Sequence, residues 1–171
     1  MKKHVLSVLV ENNAGVLSRI AGLFSRRGYN INSLSVGESL DPGISRMTIV
    51  VKADDAILDQ IKKQLNKQVS VLKVIDLKFN ESIIRNLVLI KITATEKNRP
   101  YIIEIADIFK AKIMDVASKS LIIEVTGSEN KIKALIALLK PYGIKELVQT
   151  GVTALERGNI DIDTHKKYDD N

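Results

Sequence analysis

The sequence predicts an α+β protein built from two successive β-α-β-β-α-β modules. A strand-length apolar run, Val5–Val10, is followed by apolar residues at helical spacing, and the same order of strands and helices recurs in the second half. A polar break at Asn80–Ser82 separates the halves, and a unit of this order forms a four-stranded antiparallel sheet with both helices on one face. We therefore expect domains at residues 1–80 and 81–158, followed by a loose tail at 159–171.

Apolar spacing defines the elements of the first module. A helical stripe begins after the turn at Glu11–Gly15, and Gly28 is placed to end that helix. The alternation within the next strand, Tyr29–Val36, slips once, which predicts a bulge. The remaining elements are a half-buried strand at Arg46–Val51, a helix capped by Asp54 or Asp55, and a strand at Val69–Phe79 with its odd-numbered apolar residues in phase.

The second module repeats this order with its own stop signals. Pro100 lies near the start of one helix, Ser128 is placed as the N-cap of the other, and Pro141 and Gly143 end the latter. The strands are expected at Leu87–Thr95, in a hairpin of Ile113–Ala117 and Leu121–Thr126, and at Ile144–Val148.

The composition excludes several kinds of chemistry. The 171 residues contain no cysteine, which rules out disulfides, thiol catalysis and cysteine-based metal sites. The two histidines, His4 and His165, are far apart in sequence, so a histidine-rich metal site or a catalytic triad is not expected. No nucleophile–base pair stands out, and we expect no catalytic residues and no bound metal.

The net charge of +6 does not by itself indicate a nucleic-acid-binding protein. The basic residues are scattered among acidic ones, and the three Phe and four Tyr are too few for a base-stacking surface. No apolar stretch matches a secretory signal or a membrane span, so we expect a cytoplasmic protein that binds neither membranes nor nucleic acid.

Each module is small enough that self-association is expected. About 80 residues make a marginal domain, and one face of each predicted sheet lacks helices. Exposed apolar faces tend to mark association, which predicts an oligomer, most simply a homodimer.

The turn at Glu11–Gly15 is the most informative candidate site. Free amides at a helix N-terminus attract a carboxylate or phosphate, and Gly15 allows close backbone approach. Asn12 and Asn13 add amide groups that could meet the ammonium of an amino acid. From spacing alone, a simple turn and cap is the alternative, and Asn30 is likewise either a turn residue or a second ligand contact.

Other polar residues carry weaker signals. Arg46 is either a contact for an anion or a partner, or a solvated strand end, and His4 is expected at a sheet edge. Asp54 and Asp55 fit a helix start. Asp161-x-Asp163 is a fragment of a calcium loop without the glycine and terminal glutamate.

Residue by residue, the sequence resembles a known family. The segments Leu6–Asn12, Gly15–Arg19, Gly22–Leu34 and Ser45–Thr48 resemble the regulatory small subunit of acetolactate (acetohydroxyacid) synthase, and Gly151–Gly158 is similar to the end of its C-terminal domain. The resemblance implies a ferredoxin-like fold, with an amino-acid-binding ACT domain followed by an ACT-like domain. It also implies a non-catalytic subunit of branched-chain amino-acid biosynthesis, which activates a separate catalytic subunit and confers feedback inhibition by valine. Thiamine diphosphate, magnesium and a flavin (FAD) are expected in that partner, and no cofactor in this chain.

The resemblance also assigns an effector site. Asn12 and Gly15 match the family's ligand loop, together with the amides of four residues: Asn13, Ala14, Val16 and Leu17. Asn30 and Ile31 match positions supplied by the neighbouring ACT domain across a dimer interface.

Two other classes of function fit this sequence less well. A stand-alone amino-acid-responsive regulator, or an orphan amino-acid-binding module, would resemble this chain, but a transcription regulator needs a DNA-reading helix and all four predicted helices belong to the modules. An enzyme on the same fold is disfavoured by the absence of a catalytic constellation.

Overall fold

The computed structural model describes residues 1–162, which form two compact units. The first contains residues 1–83 and 152–162, and the second contains Ile84–Gly151. Each follows the order β-α-β-β-α-β, which confirms the predicted fold class. The sequence placed 81–158 wholly in the second module, whereas the structure groups residues 152–162 with the first. Residues 163–171 of the predicted tail, with His165, lie outside the described residues.

The first unit is a four-stranded antiparallel sheet with the order β2-β3-β1-β4. The chain crosses it so that β1 and β3 are central and β2 and β4 lie at the edges. Its elements are β1 (Lys2–Glu11), α1 (Val16–Arg26), β2 (Ile31–Glu38), β3 (Ile44–Ala53), α2 (Asp55–Asn66) and β4 (Val71–Leu77).

Both helices of the first unit pack on one face of this sheet. The apolar faces of α1 and α2 pack against alternate residues of the central strands, because successive side chains of a strand point to opposite faces of the sheet. Fully or nearly buried in this core are Leu6, Val8, Val10, Val16, Ile20, Leu23, Phe24, Met47, Ile49, Val51, Leu58, Ile61 and Leu65.

The structure confirms three local predictions for the first half: a helix cap, a helix end and a β-bulge. Asp54 is the N-cap of α2 and its carboxylate accepts from the Ile57 amide at 2.8 Å. Gly28 follows α1 with φ +68°, a left-handed conformation that suits glycine. The pairing of β2 with β3 shifts between Ile31 and Ser33, which is the predicted bulge.

The prediction for β4 was wrong in extent and in phase. The strand ends before Phe79, which is 53% exposed, and begins after Val69, which is 93% exposed. A register shift opposite Leu9 and Val10 breaks the alternation, so Val71 packs against the helices while Leu77 pairs with Val5 on the other face. A bulge reverses which residues face the core, and periodicity alone did not reveal it.

The prediction that Arg46–Val51 is half-buried was also wrong. Thr48 and Val50 lie on the face without helices, yet they are only 4% exposed. The segment Val152–Glu156, which we call the C-terminal strap, contributes to covering this face, since Val152 is hydrogen-bonded to two serines of β2. The helix-free face of the first sheet is therefore partly covered from within the chain.

The second unit repeats the architecture with the sheet order β6-β7-β5-β8. Its elements are β5 (Ser82–Thr93), α3 (Arg99–Ile108), β6 (Lys112–Val116), β7 (Ser120–Gly127), α4 (Glu129–Leu139), a 3₁₀ turn (Lys140–Tyr142) and β8 (Ile144–Gln149). A further short strand, β9 (Thr153–Glu156), lies in the strap and pairs with β5, whose first two residues, Ser82 and Ile83, also belong to the first unit.

Its helices start and stop where the sequence signals lie. Pro100 is in the first turn of α3, and Ser128 caps α4 by accepting from the Lys131 amide. Gly143 ends the 3₁₀ turn with φ +94°. The core consists of Val88, Ile90, Ile92, Ala94, Ile102, Ala106, Leu121, Ile123, Val125, Ile132, Leu135 and Leu139.

Candidate functional site

The turn between β1 and α1 presents an uncapped helix N-terminus. Gly15 is the N-cap residue, with φ +84° and ψ −6°, and it carries no side chain that could accept from the first amides. A Cβ added at Gly15 would meet nothing within 4 Å, so the backbone here is open to a ligand. The Val16 amide donates to the Asn13 carbonyl at 3.3 Å. First-turn amides lack intrahelical acceptors, and together with the positive end of the helix dipole they make such a place suited to a carboxylate.

Hydrogen bonds fix the asparagines of this turn. The Asn12 amide donates to the Gly43 carbonyl at 2.8 Å, and Asn12 Nδ2 donates to the Pro42 carbonyl at 2.9 Å. Asn12 Nδ2 also lies 3.3 Å from the Glu38 carboxylate. Because these acceptors take the NH₂ group, the amide oxygen is the part of Asn12 that could accept from an ammonium group.

The exposure of each turn residue determines whether it can offer a ligand its side chain or only its backbone. Asn12, Asn13 and Ala14 are exposed, and Asn13 Nδ2 donates to Glu11 Oε2 at 3.1 Å. The Val16 side chain is 4% exposed and belongs to the core, so Val16 can offer a ligand only its backbone. Leu17 is 48% exposed and could present an apolar wall.

The other two predicted residues lie at the opposite end of the sheet. Ile31 pairs with Val51, whereas Ile44, at the start of β3, pairs with Glu11 beside the turn. Val51 lies seven positions beyond Ile44 on β3, which is about 23 Å at roughly 3.3 Å per residue. One chain therefore does not bring Asn30 and Ile31 to the turn that holds Gly15.

Arg46 has a structural role that neither sequence interpretation anticipated. Its side chain is partly buried, and its Nε donates to the hydroxyl of Ser7 at 2.8 Å. Burial lowers the pKa of Arg46, and the charge of Glu156 on the strap acts in the opposite direction. Arg46 is thus a partly buried residue that interacts with Ser7 and with the charge of Glu156, rather than a solvated strand end.

His4 is not at a sheet edge, so that expectation was wrong. It lies within the central strand β1, opposite Val51, with Nδ1 3.9 Å from the Asp76 carboxylate. Within residues 1–162, no group of three or more histidine, cysteine, aspartate or glutamate residues could hold a metal ion. No helix in the same range is long and apolar enough to span a membrane.

Sequence reasoning missed Ser33, Ser35 and the strap. Ser33 and Ser35 alternate on β2 with Leu34 and Val36, a pattern typical of ordinary polar residues on the outer face of a strand, and their partner is more than a hundred positions away. The resemblance of Gly151–Gly158 to a family C-terminus was the available signal, but it carried no indication of where this segment packs.

The fold and the uncapped turn define the class: a tandem ACT-type protein with two ferredoxin-like modules. Residues 6–73 match a model described as an AHAS small subunit-like ACT domain. Residues 85–158 match a model described as the small subunit of acetolactate synthase. The chain belongs to the family of acetolactate synthase small subunits, which are regulatory subunits of that enzyme.

Relatives and a solved structure cover nearly the whole chain. The chain is 50% identical over 155 residues to the acetolactate synthase small subunit of Mycolicibacterium smegmatis, covering 91% of each. It is 51% identical over 157 residues to a probable small subunit of Archaeoglobus fulgidus, covering 92% of this chain and 98% of the relative. The crystal structure of the small subunit from Thermotoga maritima superposes with a TM-score of 0.88 at 40% identity, covering 94% of this chain and all of that one.

Proposed function

We propose that this chain activates the catalytic subunit of acetolactate synthase and makes it sensitive to feedback inhibition by valine. Family membership over almost the full length supports the subunit role. On this proposal the chain does not catalyse and binds no cofactor, and the catalytic partner holds thiamine diphosphate, magnesium and FAD. The complex acts in the cytoplasm in branched-chain amino-acid biosynthesis.

The single observation that carries the effector site is the uncapped start of α1 at Gly15. The valine carboxylate binds the amides of this first turn, from Asn13 to Leu17, where the helix dipole favours an anion. The amide oxygen of Asn12 accepts from the valine ammonium, because the NH₂ group of Asn12 already donates hydrogen bonds to the Pro42 carbonyl and to Glu38.

The rest of the site comes from a second copy of the chain. Asn30 and Ile31 lie at the far end of the same sheet, so a two-fold homodimer that runs two first units in opposite directions brings them to the partner's turn. Asn30 then adds a second amide to the ammonium, and Ile31 faces Leu17 across the isopropyl group. A ligand shared in this way stabilises one arrangement of the two subunits, which is the basis for allosteric control.

This pocket discriminates modestly among branched side chains. One methylene in an apolar pocket is worth about 1–3 kcal/mol, so valine binds more tightly than leucine or isoleucine without excluding them. Serine lacks the apolar contact and phenylalanine exceeds the space between two aliphatic walls. Equal affinity for either of them would contradict the assignment of Leu17 and Ile31.

The test is acetolactate formation by the host's purified catalytic subunit, with and without this chain and with and without valine. Activation by the chain and suppression by valine support both parts of the proposal. Activation without a valine response would support the role as partner of the catalytic subunit and would contradict the effector site. Turnover of pyruvate by the isolated chain would contradict the regulatory role.

A further inference from the structure

A groove runs along α3 in the second unit, and neither the effector site nor the core uses it. Its volume is about 720 Å³, and residues of α3 and of the loop before it line it. The buried stripe of α3, which contains Ile102 and Ala106, faces the sheet, so the groove is on the helix's outer side.

The floor of this groove is apolar and exposed. Pro100, Ile103 and Ile108 line it, and Ile103 is 37% exposed while Ile108 is 69% exposed. A ten-residue helix that is apolar on its outer side as well as its inner side exposes surface that a partner would bury.

The rim of the groove carries negative charge on a basic unit. Residues 84–151 contain 11 lysines and arginines against 7 aspartates and glutamates, yet three of those seven carboxylates, Glu96, Glu104 and Asp107, line the groove. Arg99 also lines it, but its guanidinium donates to the carbonyls of Ala94, Ala117 and Ser118 at 3.3, 2.7 and 2.9 Å. Arg99 Nη2 is therefore directed at the backbone, and three carboxylates against one guanidinium leave the lining with a net negative charge, so the carboxylates dominate what the rim attracts.

We propose that this groove is a docking site for a segment of the catalytic subunit in which an apolar anchor residue is flanked by lysine or arginine. The apolar floor takes the anchor, and the three carboxylates attract the flanking cations and set its direction. The inference rests on the proposed function, since it assigns one contact surface of that subunit assembly.

Other occupants fit the groove less well. The net negative charge of the lining disfavours phosphates, acidic lipids and free amino-acid carboxylates, and therefore nucleic acid, anionic membranes and a second effector molecule. A second copy of this chain would have to insert a different surface into the groove. Such a heterologous contact propagates into open chains unless the rotation closes, so a distinct partner with a basic segment is the better match.

The experiment measures how much of the full-length chain half-saturates activation of the catalytic subunit. Glu104→Lys tests the rim, with Asp115→Lys, an exposed carboxylate on β6, as its matched control. Ile108→Ser tests the floor, with Leu138→Ser, 50% exposed on α4, as its control. All four positions are exposed, and circular dichroism with thermal melting verifies that each variant folds.

We expect each groove variant to raise the half-saturating concentration about tenfold, as for a moderate interface contact, while maximal activation and both controls stay near wild type. Added salt weakens wild-type binding more than that of Glu104→Lys, because the variant has lost part of the electrostatic attraction. Unchanged half-saturation in both groove variants overturns the docking site alone. A wild-type chain that neither binds nor activates the catalytic subunit overturns the proposed function and this inference together. Groove variants that change the molecular mass of the isolated chain in solution would assign the groove to self-association and would also overturn the docking site.

Discussion

The hydroxyl of Ser33 accepts a hydrogen bond of 2.8 Å from the backbone amide of Val152, a residue 119 positions further along the chain. Ser35, the next residue on the same side of β2, donates to the carbonyl of Val152 at 2.7 Å. Both backbone groups of one strap residue are therefore held by an edge strand. That strand begins at Ile31, so the strap is fixed to the element that carries a proposed effector contact.

Removing these hydroxyls should destabilise the first unit. Ser33→Ala leaves the Val152 amide without its acceptor, and Ser35→Ala leaves the carbonyl without its donor; each should lower the free energy of unfolding by about 1 kcal/mol. Urea denaturation measures the change, and Ser25→Ala, at an exposed position on α1, is the control. A loss in Ser33→Ala no greater than in the control would contradict the importance of this contact.

The buried pair Arg46 and Ser7 should be coupled in stability. Ser7 is fully buried, and Arg46 Nε donates to its hydroxyl at 2.8 Å. Arg46→Ala should cost about 1–3 kcal/mol, because the buried hydroxyl loses this charged donor and Glu156 loses a nearby cation.

A double-mutant cycle separates that hydrogen bond from lost packing. Ser7→Ala made in the Arg46→Ala background should cost less than Ser7→Ala alone, with a coupling energy of about 0.5–3 kcal/mol, as contacting residues usually show. Strict additivity of the two substitutions in thermal or urea unfolding would count against a direct interaction.

Local signals predicted most of the fold. The helix caps at Asp54 and Ser128 and the bulge after Ile31 are properties of neighbouring residues, and short-range patterns report such properties directly. The strap was missed because β9 has four residues, too few for a period, and its hydrogen-bonding partners are distant in sequence. The same long-range packing explains why Thr48 is buried although its pattern predicted a half-exposed strand.

The sequence also predicted the local part of the candidate site better than the part that depends on long-range packing. The turn residues from Asn12 to Leu17 are contiguous, so the sequence could place them together at the start of a helix. Asn30 and Ile31 are also placed correctly in their own segment, but their distance from the turn follows from strand register, which a single chain's pattern does not report. Their contribution to one site depends on a second copy, and the resemblance alone suggested it.

Asn30→Ala should remove the valine response and leave activation intact. On the two-copy site, Asn30 provides one of two amides for the ammonium, and it is exposed, so its loss does not disturb the core. Loss of one hydrogen bond to a charged group costs about 1.5–3 kcal/mol, which raises the valine concentration for half-inhibition at least about tenfold. The measurement is inhibition of acetolactate formation, and Asn32→Ala, an exposed neighbour outside the proposed site, is the control. Full retention of inhibition in Asn30→Ala would remove this residue from the site.

Gly15→Asp should abolish valine inhibition through charge rather than misfolding. Gly15 and Gly158 have similar positive φ angles, +84° and +77°, and an added Cβ meets nothing within 4 Å at either position. Gly158→Asp therefore carries a comparable conformational cost, about 1 kcal/mol for a residue in the left-handed region. At Gly15, however, the new carboxylate lies at the first turn of α1, where the dipole favours it and where the valine carboxylate would otherwise bind.

The comparison of three variants separates the causes. Gly15→Ala introduces the backbone strain without the charge and should weaken valine inhibition less than Gly15→Asp, while Gly158→Asp should keep the wild-type response. All three should still activate the catalytic subunit, since the turn is not part of the proposed docking groove. Valine titrations of acetolactate formation provide the measurement, and an unchanged valine affinity in Gly15→Asp would refute the assignment of the effector carboxylate to this helix start, because two carboxylates cannot share the same few amides.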